Sequence, residues 1–310
     1  MFHPIELFHE WATRRNWTPR RPLDPAPFFA LWTTGEGAAF NRVPPLERPP
    51  ELLIVLMTYD RPEACERVLR SLAAAVVAAG RRDQTALLVV RDASSADYAR
   101  ARSVAGDVAG TRLWLDARQW LGKRNFWRSY QTAFAVAERW RPERCLFLHD
   151  DVEFEPDLLV RADALWQATS DDPSRRVLYL FSSSQDEARG RWIEYERRAL
   201  PSKSSRLTNW FDLQAFMVDA RFFELLGYRI IPIHRNRWRR KPTRSSGVGR
   251  QLTMRLFGRA QTYQAWPPLV CHGREPSLAN PEARGLNDLD NRDEYARAIA
   301  LRGSSRETSA

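Results

Sequence analysis

Three hundred and ten residues, 44% of them hydrophobic and 28% charged, are enough for one large domain or two small ones and exclude a chain disordered throughout. No apolar run approaches the roughly 18 residues needed to span a bilayer, and Met1 to Glu10 carry neither the basic nor the long apolar region of a secretory signal. A cytoplasmic protein is expected. Three widely spaced cysteines, Cys65, Cys145 and Cys271, argue against both a disulfide framework and a zinc site, in keeping with a reducing compartment.

The net charge of +10 is unevenly distributed. Between Leu225 and Arg274 there are eleven basic residues and no acidic one, which leaves 37 basic against 38 acidic residues elsewhere. This stretch therefore asks for an anionic partner, while the rest of the chain is electrostatically ordinary. Of the 48 cationic residues only Lys123, Lys203 and Lys241 are lysines. A GC-rich genome explains that choice of arginine but not the clustering.

Residues 1–50 read as a proline-rich N-terminal extension. Pro19, Pro22, Pro25 and Pro27, then Pro44, Pro45, Pro49 and Pro50, bracket the aromatic segment Phe28 to Trp32, and proline at this density blocks long helices and strands. A strand is predicted over Leu52 to Met57, followed by the turn Thr58-Tyr59-Asp60-Arg61-Pro62 and a helix to about Ala79, with Pro62 in its first turn and Gly80 as its stop. A second strand, Ala86 to Val90, ends in Arg91-Asp92; a helix from Asp97 and a short strand at Arg112 to Leu115 follow. Leu121 to Trp140 reads as one long helix. The apolar strand Cys145 to His149 runs into Asp150-Asp151 before another helix from Asp157 to about Thr169.

Strands alternating with helices in this way imply an α/β fold with a mostly parallel sheet flanked by helices. Ligands of such sheets bind beyond the carboxyl ends of the strands, where Asp60, Asp92, Asp150 and Asp151 all fall. Past residue 175 the elements shorten: Val177 to Phe181, Ala215 to Val218, the helix Ala220 to Leu226, then the basic stretch. Residues 281–310 form a polar tail, with the last ten expected to be loosely held.

Four strand-end and helix-start features appear in a suggestive order: Val55 to Pro62, Val90-Arg91-Asp92, Gly122-Lys123-Arg124-Asn125, and the apolar strand ending His149-Asp150-Asp151. Together they resemble the nucleotide-binding half of GT-A fold glycosyltransferases. A fifth, Pro267 to Leu278, looks like the PSLVQHxGxxSSL segment of some GT-A N-acetylglucosaminyltransferases and related bacterial enzymes. The resemblance covers residues 51–280 and implies a donor half at 51–155 and an acceptor half at 175–274, the latter containing the basic stretch 225–274.

The physics of the implied reaction agrees with these residue types. A nucleotide-sugar, in this family commonly a UDP-sugar, carries a diphosphate whose charge must be neutralised as the sugar–phosphate bond breaks, and Mn²⁺ or Mg²⁺ on hard oxygen ligands does this. Adjacent acids at the end of a buried strand point to opposite faces, so one can reach a metal while its neighbour orders the loop or meets the ribose.

By analogy with the family's DxD motif, Asp151 would hold the metal together with His272, and Asp150 would support it. His149 occupies the first motif position, where the family normally has an acid. Thr58, Tyr59, Asp60 and Arg61 stand where the family holds the nucleobase and ribose, Asp92 where a carboxylate commonly accepts from the base, and Lys123 and Asn125 near the diphosphate or sugar. Inverting members place an acid at the helix that here begins near Ser245 to Arg250, and no acid is present there. Either another carboxylate serves as base, Asp212 being the candidate, or configuration is retained and the leaving phosphate takes the proton.

The run Arg235, Arg237, Trp238, Arg239, Arg240 and Lys241 falls on the acceptor side of this scheme. Arginines interleaved with a tryptophan suit a phosphate backbone with accessible bases, which makes DNA the expected partner. Some phages glycosylate hydroxymethylated pyrimidines in their own DNA, with the base flipped into the transfer pocket, and host cytoplasm would then be the location. The alternatives are an acceptor in a bacterial surface or lipid-linked saccharide, a solvated arginine loop with no partner, and, in another class, a non-catalytic nucleic-acid-binding module.

Overall fold

The computed structural model describes residues 29–33, 36–39, 43–118, 120–181, 202–204, 213–239, 246–256, 259–265 and 268–273, together with Arg292, Tyr295, Ala296 and Ile299. Two short strands, β1 (Phe29–Thr33) and β2 (Glu36–Ala39), lie within the proline-flanked segment. The α/β alternation follows: β3 (Leu52–Thr58), α1 (Pro62–Ala78), β4 (Thr85–Arg91), α2 (Ala99–Val108) and β5 (Thr111–Ala117). After α3 (Gly122–Asn125) and α4 (Trp127–Trp140) come β6 (Arg144–His149), β7 (Val152–Phe154), α5 (Leu158–Gln167) and β8 (Arg175–Tyr179). The last part holds β9 (Ser202–Ser204), β10 (Ala215–Asp219), α6 (Ala220–Leu225), the 3₁₀ turn Arg235–Trp238, α7 (Val248–Leu256), β11 (Gln261–Gln264) and β12 (Val270–His272).

The expected α/β class is what the structure shows. Among the described residues ten strands form one mixed sheet in the order β2-β1-β5-β4-β3-β6-β10-β8-β11-β9, and β7 and β12 form a separate pair. At its centre β5, β4, β3 and β6 are parallel; β10 then runs antiparallel to both β6 and β8. The chain moves outward from β3 to β4 and β5, then returns to place β6 on the other side of β3. That reversal makes the gap between the ends of β3 and β6 a topological switch point, where open α/β sheets form a crevice.

Burial follows from the sequence pattern. All seven residues of β3 are buried, because helices cover both faces of the sheet. Leu53, Val55 and Met57 pack on one side with Phe134, Phe147 and Phe216; Leu52, Ile54 and Leu56 pack on the other with Leu69, Leu72 and Leu146. Each such side chain contributes about 1.5–3 kcal/mol when fully buried. Helix α1 starts with Pro62 at its first positions and ends at Gly80 (φ 64°), whose left-handed backbone lets Arg81 N bond back to Val76 O at 3.1 Å.

The long helix expected over Leu121 to Trp140 is divided. It is interrupted at Phe126, where the backbone closes a tighter turn (Ser129 N to Phe126 O, 3.1 Å). The interruption sets the Phe126 ring edge-on against Tyr130 and His149, with centroids at 5.3 and 5.7 Å.

One ionic cluster ties the edge of the parallel core together. The buried Asp116 carboxylate accepts from Arg91 Nε at 2.7 Å, Arg102 Nη2 at 2.8 Å and the Trp114 indole N–H at 2.9 Å. Truncating one member of a buried, hydrogen-bonded charge cluster leaves the others uncompensated. Asp116→Ala is therefore expected to lower unfolding stability by about 3 kcal/mol, measured from the urea midpoint and slope.

Candidate functional site

The switch point is closed by one carboxylate. Asp150, just past β6, accepts from the Thr58 hydroxyl at 2.6 Å and from the Tyr59 amide at 3.2 Å, and its own amide donates to Met57 O at 3.0 Å. Burial, followed by the neighbouring Asp151, raises the Asp150 pKa; the Thr58 hydroxyl, Arg61 and the Tyr59 amide oppose that shift. A second layer supports these contacts. The Tyr98 hydroxyl lies 3.1 Å from Thr58 Oγ1 and accepts from the Arg61 amide at 2.9 Å, with the Arg91 guanidinium over the ring at 5.0 Å. Tyr98 carries no motif signal in the sequence, and its partners lie 37 and 40 residues away.

His149 and Asp150 diverge as neighbours on a strand must. The Tyr130 hydroxyl lies 3.1 Å from His149 Nε2 and donates to Leu213 O at 3.2 Å. Burial drops the His149 pKa to about 4, so the ring is neutral at physiological pH. Its Nε2 edge is turned towards Tyr130 of α4.

Asp151 begins the turn into β7, and β7 pairs with β12 so that Val152 lies opposite His272. The Gly273 amide donates to Asp151 O at 2.6 Å, which anchors the end of β12 beside the acid pair. His272 is buried, with its ring edge-on to Phe181 at 4.7 Å, and the Arg292 guanidinium donates to its carbonyl. Residues 120 positions apart in sequence are thereby brought to one ladder. The Arg61 guanidinium bridges the acids, 3.5 Å from Asp151 Oδ2 and 3.9 Å from Asp150 Oδ1.

Among the described residues no group of three or more His, Cys, Asp or Glu side chains is arranged to hold a metal. A carboxylate and an imidazole at Asp151 and His272 instead suit an ion that takes its remaining ligands from substrate phosphates and water, the usual arrangement for Mg²⁺ and Mn²⁺ in phosphate chemistry.

Several expected contacts take a different form. Both oxygens of Asp92 accept backbone amides, from Ala93 at 2.8 Å, Leu121 at 2.7 Å and Gly122 at 2.8 Å. The residue thus tethers the loop before α3 to the end of β4, and burial raises its pKa. Asp60, at φ 51°, accepts from the Ser94 hydroxyl at 2.7 Å and joins two strand-end loops. The Asp92 tether presents Trp120, 64% exposed, whose ring lies 6.3 Å from Tyr59. Gly122 (φ 52°) is required beneath it, since a Cβ there would meet Trp120 Cζ2 at 2.6 Å.

The basic side needs one correction. Trp238, expected as an exposed stacking ring, is only 3% exposed and belongs to the core. In the 3₁₀ turn Arg235–Trp238 its side chain points inward while Arg235 and Arg239 remain exposed. Arg255 is buried as well, and donates to Arg229 O and Leu226 O at the end of α6. Its place on the α7 stripe with Val248, Leu252 and Leu256 was legible from helical spacing.

Lys123 and Arg237 lie close enough that Arg237, after burial, lowers the lysine pKa; Arg128 is lowered likewise by burial and then Arg235. Arg237 packs against Gly247 (φ 85°), where a Cβ would meet its Nε at 2.8 Å. Asn125 is half-buried at the end of α3. Asp212, Arg240 and Lys241 lie outside the described residues. Asp92→Ala is expected to speed amide hydrogen exchange at Leu121 and Gly122 by at least about tenfold relative to β4, read by mass spectrometry.

The sequence matches no protein-family model, and no curated protein matches it. Among solved structures the chain is similar to the mannosyltransferase PcManGT from Pyrobaculum calidifontis, determined in complex with GDP-Man and Mn²⁺, at 18% identity over 84% of this chain and 62% of that one, with a TM-score of 0.47. It is also similar to S. aureus TarS, at 13% identity over 72% of this chain and 36% of that one, with a TM-score of 0.44. A mycobacterial protein shares 12% identity over 74% of this chain and 69% of its own length, with a TM-score of 0.43. The chain spans less than two thirds of the length of the first two.

Proposed function

We propose that the chain is a glycosyltransferase that moves a sugar from a nucleotide-sugar to a hydroxyl acceptor, with Mn²⁺ or Mg²⁺ held by Asp151 and His272. The observation that carries this reading is the junction at the switch point: the β7–β12 ladder delivers His272 beside the Asp150-Asp151 pair at the carboxyl ends of the parallel strands. When bound, the metal would neutralise the donor diphosphate as it leaves.

The chain's own groups have separate tasks in this scheme. Asp150 fixes the mouth of the crevice by joining Thr58 and Tyr59 to the end of β6. The rings of Tyr59 and Trp120 offer flat surfaces for a nucleobase, and a UDP-sugar is the donor form the family resemblance implies. Lys123, with Asn125 nearby, is the cation we assign to the diphosphate. As the acceptor oxygen bonds to the anomeric carbon, the sugar–phosphate bond breaks and the nucleoside diphosphate departs; Asp212 is the candidate to take the hydroxyl proton.

For the acceptor we infer a hydroxymethylated pyrimidine in DNA. The support is charge: Arg235, Arg237 and Arg239 share one segment, and Arg235 and Arg237 lie near Arg128 and Lys123 at the start of the helices beside His149. With Trp238 buried, its ring is withheld from the bases, and the reading rests on the arginine charge alone.

Incubation with a panel of sugar nucleotides and hydroxymethylcytosine-containing DNA, followed by nucleoside mass analysis, tests donor and acceptor together. A mass gain of one hexose or N-acetylhexosamine is expected; donor hydrolysis with no nucleoside gain would remove the DNA acceptor. Asp151→Asn is expected to reduce metal-dependent donor turnover at least about a hundredfold with an unchanged circular dichroism spectrum, and full metal-dependent turnover would remove the site assignment. Replacing Arg235 and Arg239 by Gln is expected to lower the slope of log DNA affinity on log salt by about two while sparing donor hydrolysis.

A further inference from the structure

Arg61 stands in an unusual relation to the acid pair. Its backbone is fixed: the amide donates to Tyr98 Oη at 2.9 Å, and the residue caps α1 immediately before Pro62. Its side chain turns into the crevice instead of solvent. Nη1 lies 3.5 Å from Asp151 Oδ2 and 3.9 Å from Asp150 Oδ1, with side-chain exposures of only 11% for Arg61 and 9–12% for the two acids. Adjacent carboxylates at this depth repel each other and have lost most of their water, and the Arg61 guanidinium relieves part of both costs.

We propose that Arg61 is a resident counter-ion of the acid pair, competing with the divalent metal for Asp151 and released by it onto the donor diphosphate. The inference rests on the reading of Asp151 as a metal ligand. A divalent ion that takes Asp151 must share the carboxylate with the guanidinium or displace it, and two cations on one carboxylate repel strongly where water is scarce. The arginine arm can turn away while its Cα stays fixed by Tyr98 and α1. A diphosphate arriving with the metal offers the released guanidinium anionic oxygens matched to its planar fork. Metal and nucleotide would thus bind cooperatively, with Arg61 weakening metal binding until the nucleotide is present.

The test uses the full chain and two probes, Mn²⁺ alone and Mn²⁺ with UDP. Free Mn²⁺ is followed by electron paramagnetic resonance and UDP affinity by calorimetry. Arg61→Gln and Arg61→Met, the second keeping an aliphatic stem against the crevice wall, are expected to bind Mn²⁺ alone on the order of tenfold more tightly than wild type. At saturating Mn²⁺ the same variants are expected to bind UDP on the order of tenfold more weakly. Arg61→Lys, which keeps the cation, should bind Mn²⁺ like wild type. Unchanged or weaker Mn²⁺ binding by a folded Gln or Met variant overturns the counter-ion role, and unchanged UDP affinity overturns the transfer to phosphate. If wild type and every variant fail to bind Mn²⁺, the metal reading of Asp151 itself falls.

Discussion

A single carboxylate joins the two strands between which the sheet changes direction. Asp150 directly follows β6, yet its side chain holds the hydroxyl and amide at the end of β3, and its amide holds the carbonyl of Met57. Backbone hydrogen bonds alone would leave the two strand ends free to fray into the crevice, since sheet pairing stops there. By bonding across the gap, Asp150 gives the loop from Tyr59 to Arg61 a fixed origin. Tyr98 reinforces that origin from the far side, through Thr58 and the Arg61 amide. The position of Asp151, and through Gly273 that of His272, is set relative to this frame.

The opposite wall of the crevice depends on a second carboxylate used the same way. Asp92 gathers three amides and so determines where α3 begins, where Lys123 sits and how Trp120 faces outward. Both acids thus spend hydrogen bonds on holding strand ends and loops, Asp92 on three amides and Asp150 on a hydroxyl and an amide. Each holds a loop whose other side chains remain available to a ligand. The cost is desolvation of a charge, visible as a raised pKa at both residues, and the amide donors offset part of it.

Much of this architecture was legible from residue order. Continuous apolar runs ending in Asp or His, each followed by a helical period, place the chemistry at strand ends whatever the family. Long-range partners left no such trace: Tyr98 looks like any aromatic residue at a helix start, and its role appears only when β4 is laid beside β3. Trp238 was misjudged for a related reason. Charged neighbours on both sides suggested exposure, but in a four-residue 3₁₀ turn alternate side chains point to different surroundings, and no periodicity spans so short a piece. Arg255, in contrast, lies in a nine-residue helix whose spacing reveals its inward face. The interruption at Phe126 has no breaker residue to announce it; Tyr130 and His149 receive the ring there.

The burial of Trp238 alters what the neighbouring arginines can do. A basic segment attached only at its ends would sweep its charge through a volume, and an approaching anion would feel an averaged, diffuse attraction. Here an indole is driven into the core between Arg237 and Arg239, and Arg237 is seated against Gly247, so the backbone that carries the charges is pinned like the spine of a comb. A field of fixed shape orients a partner as well as attracting it, and little conformational freedom remains to be lost when contact is made. The tryptophan acts from beneath, as the rivet that ties the backbone of this basic turn to the core.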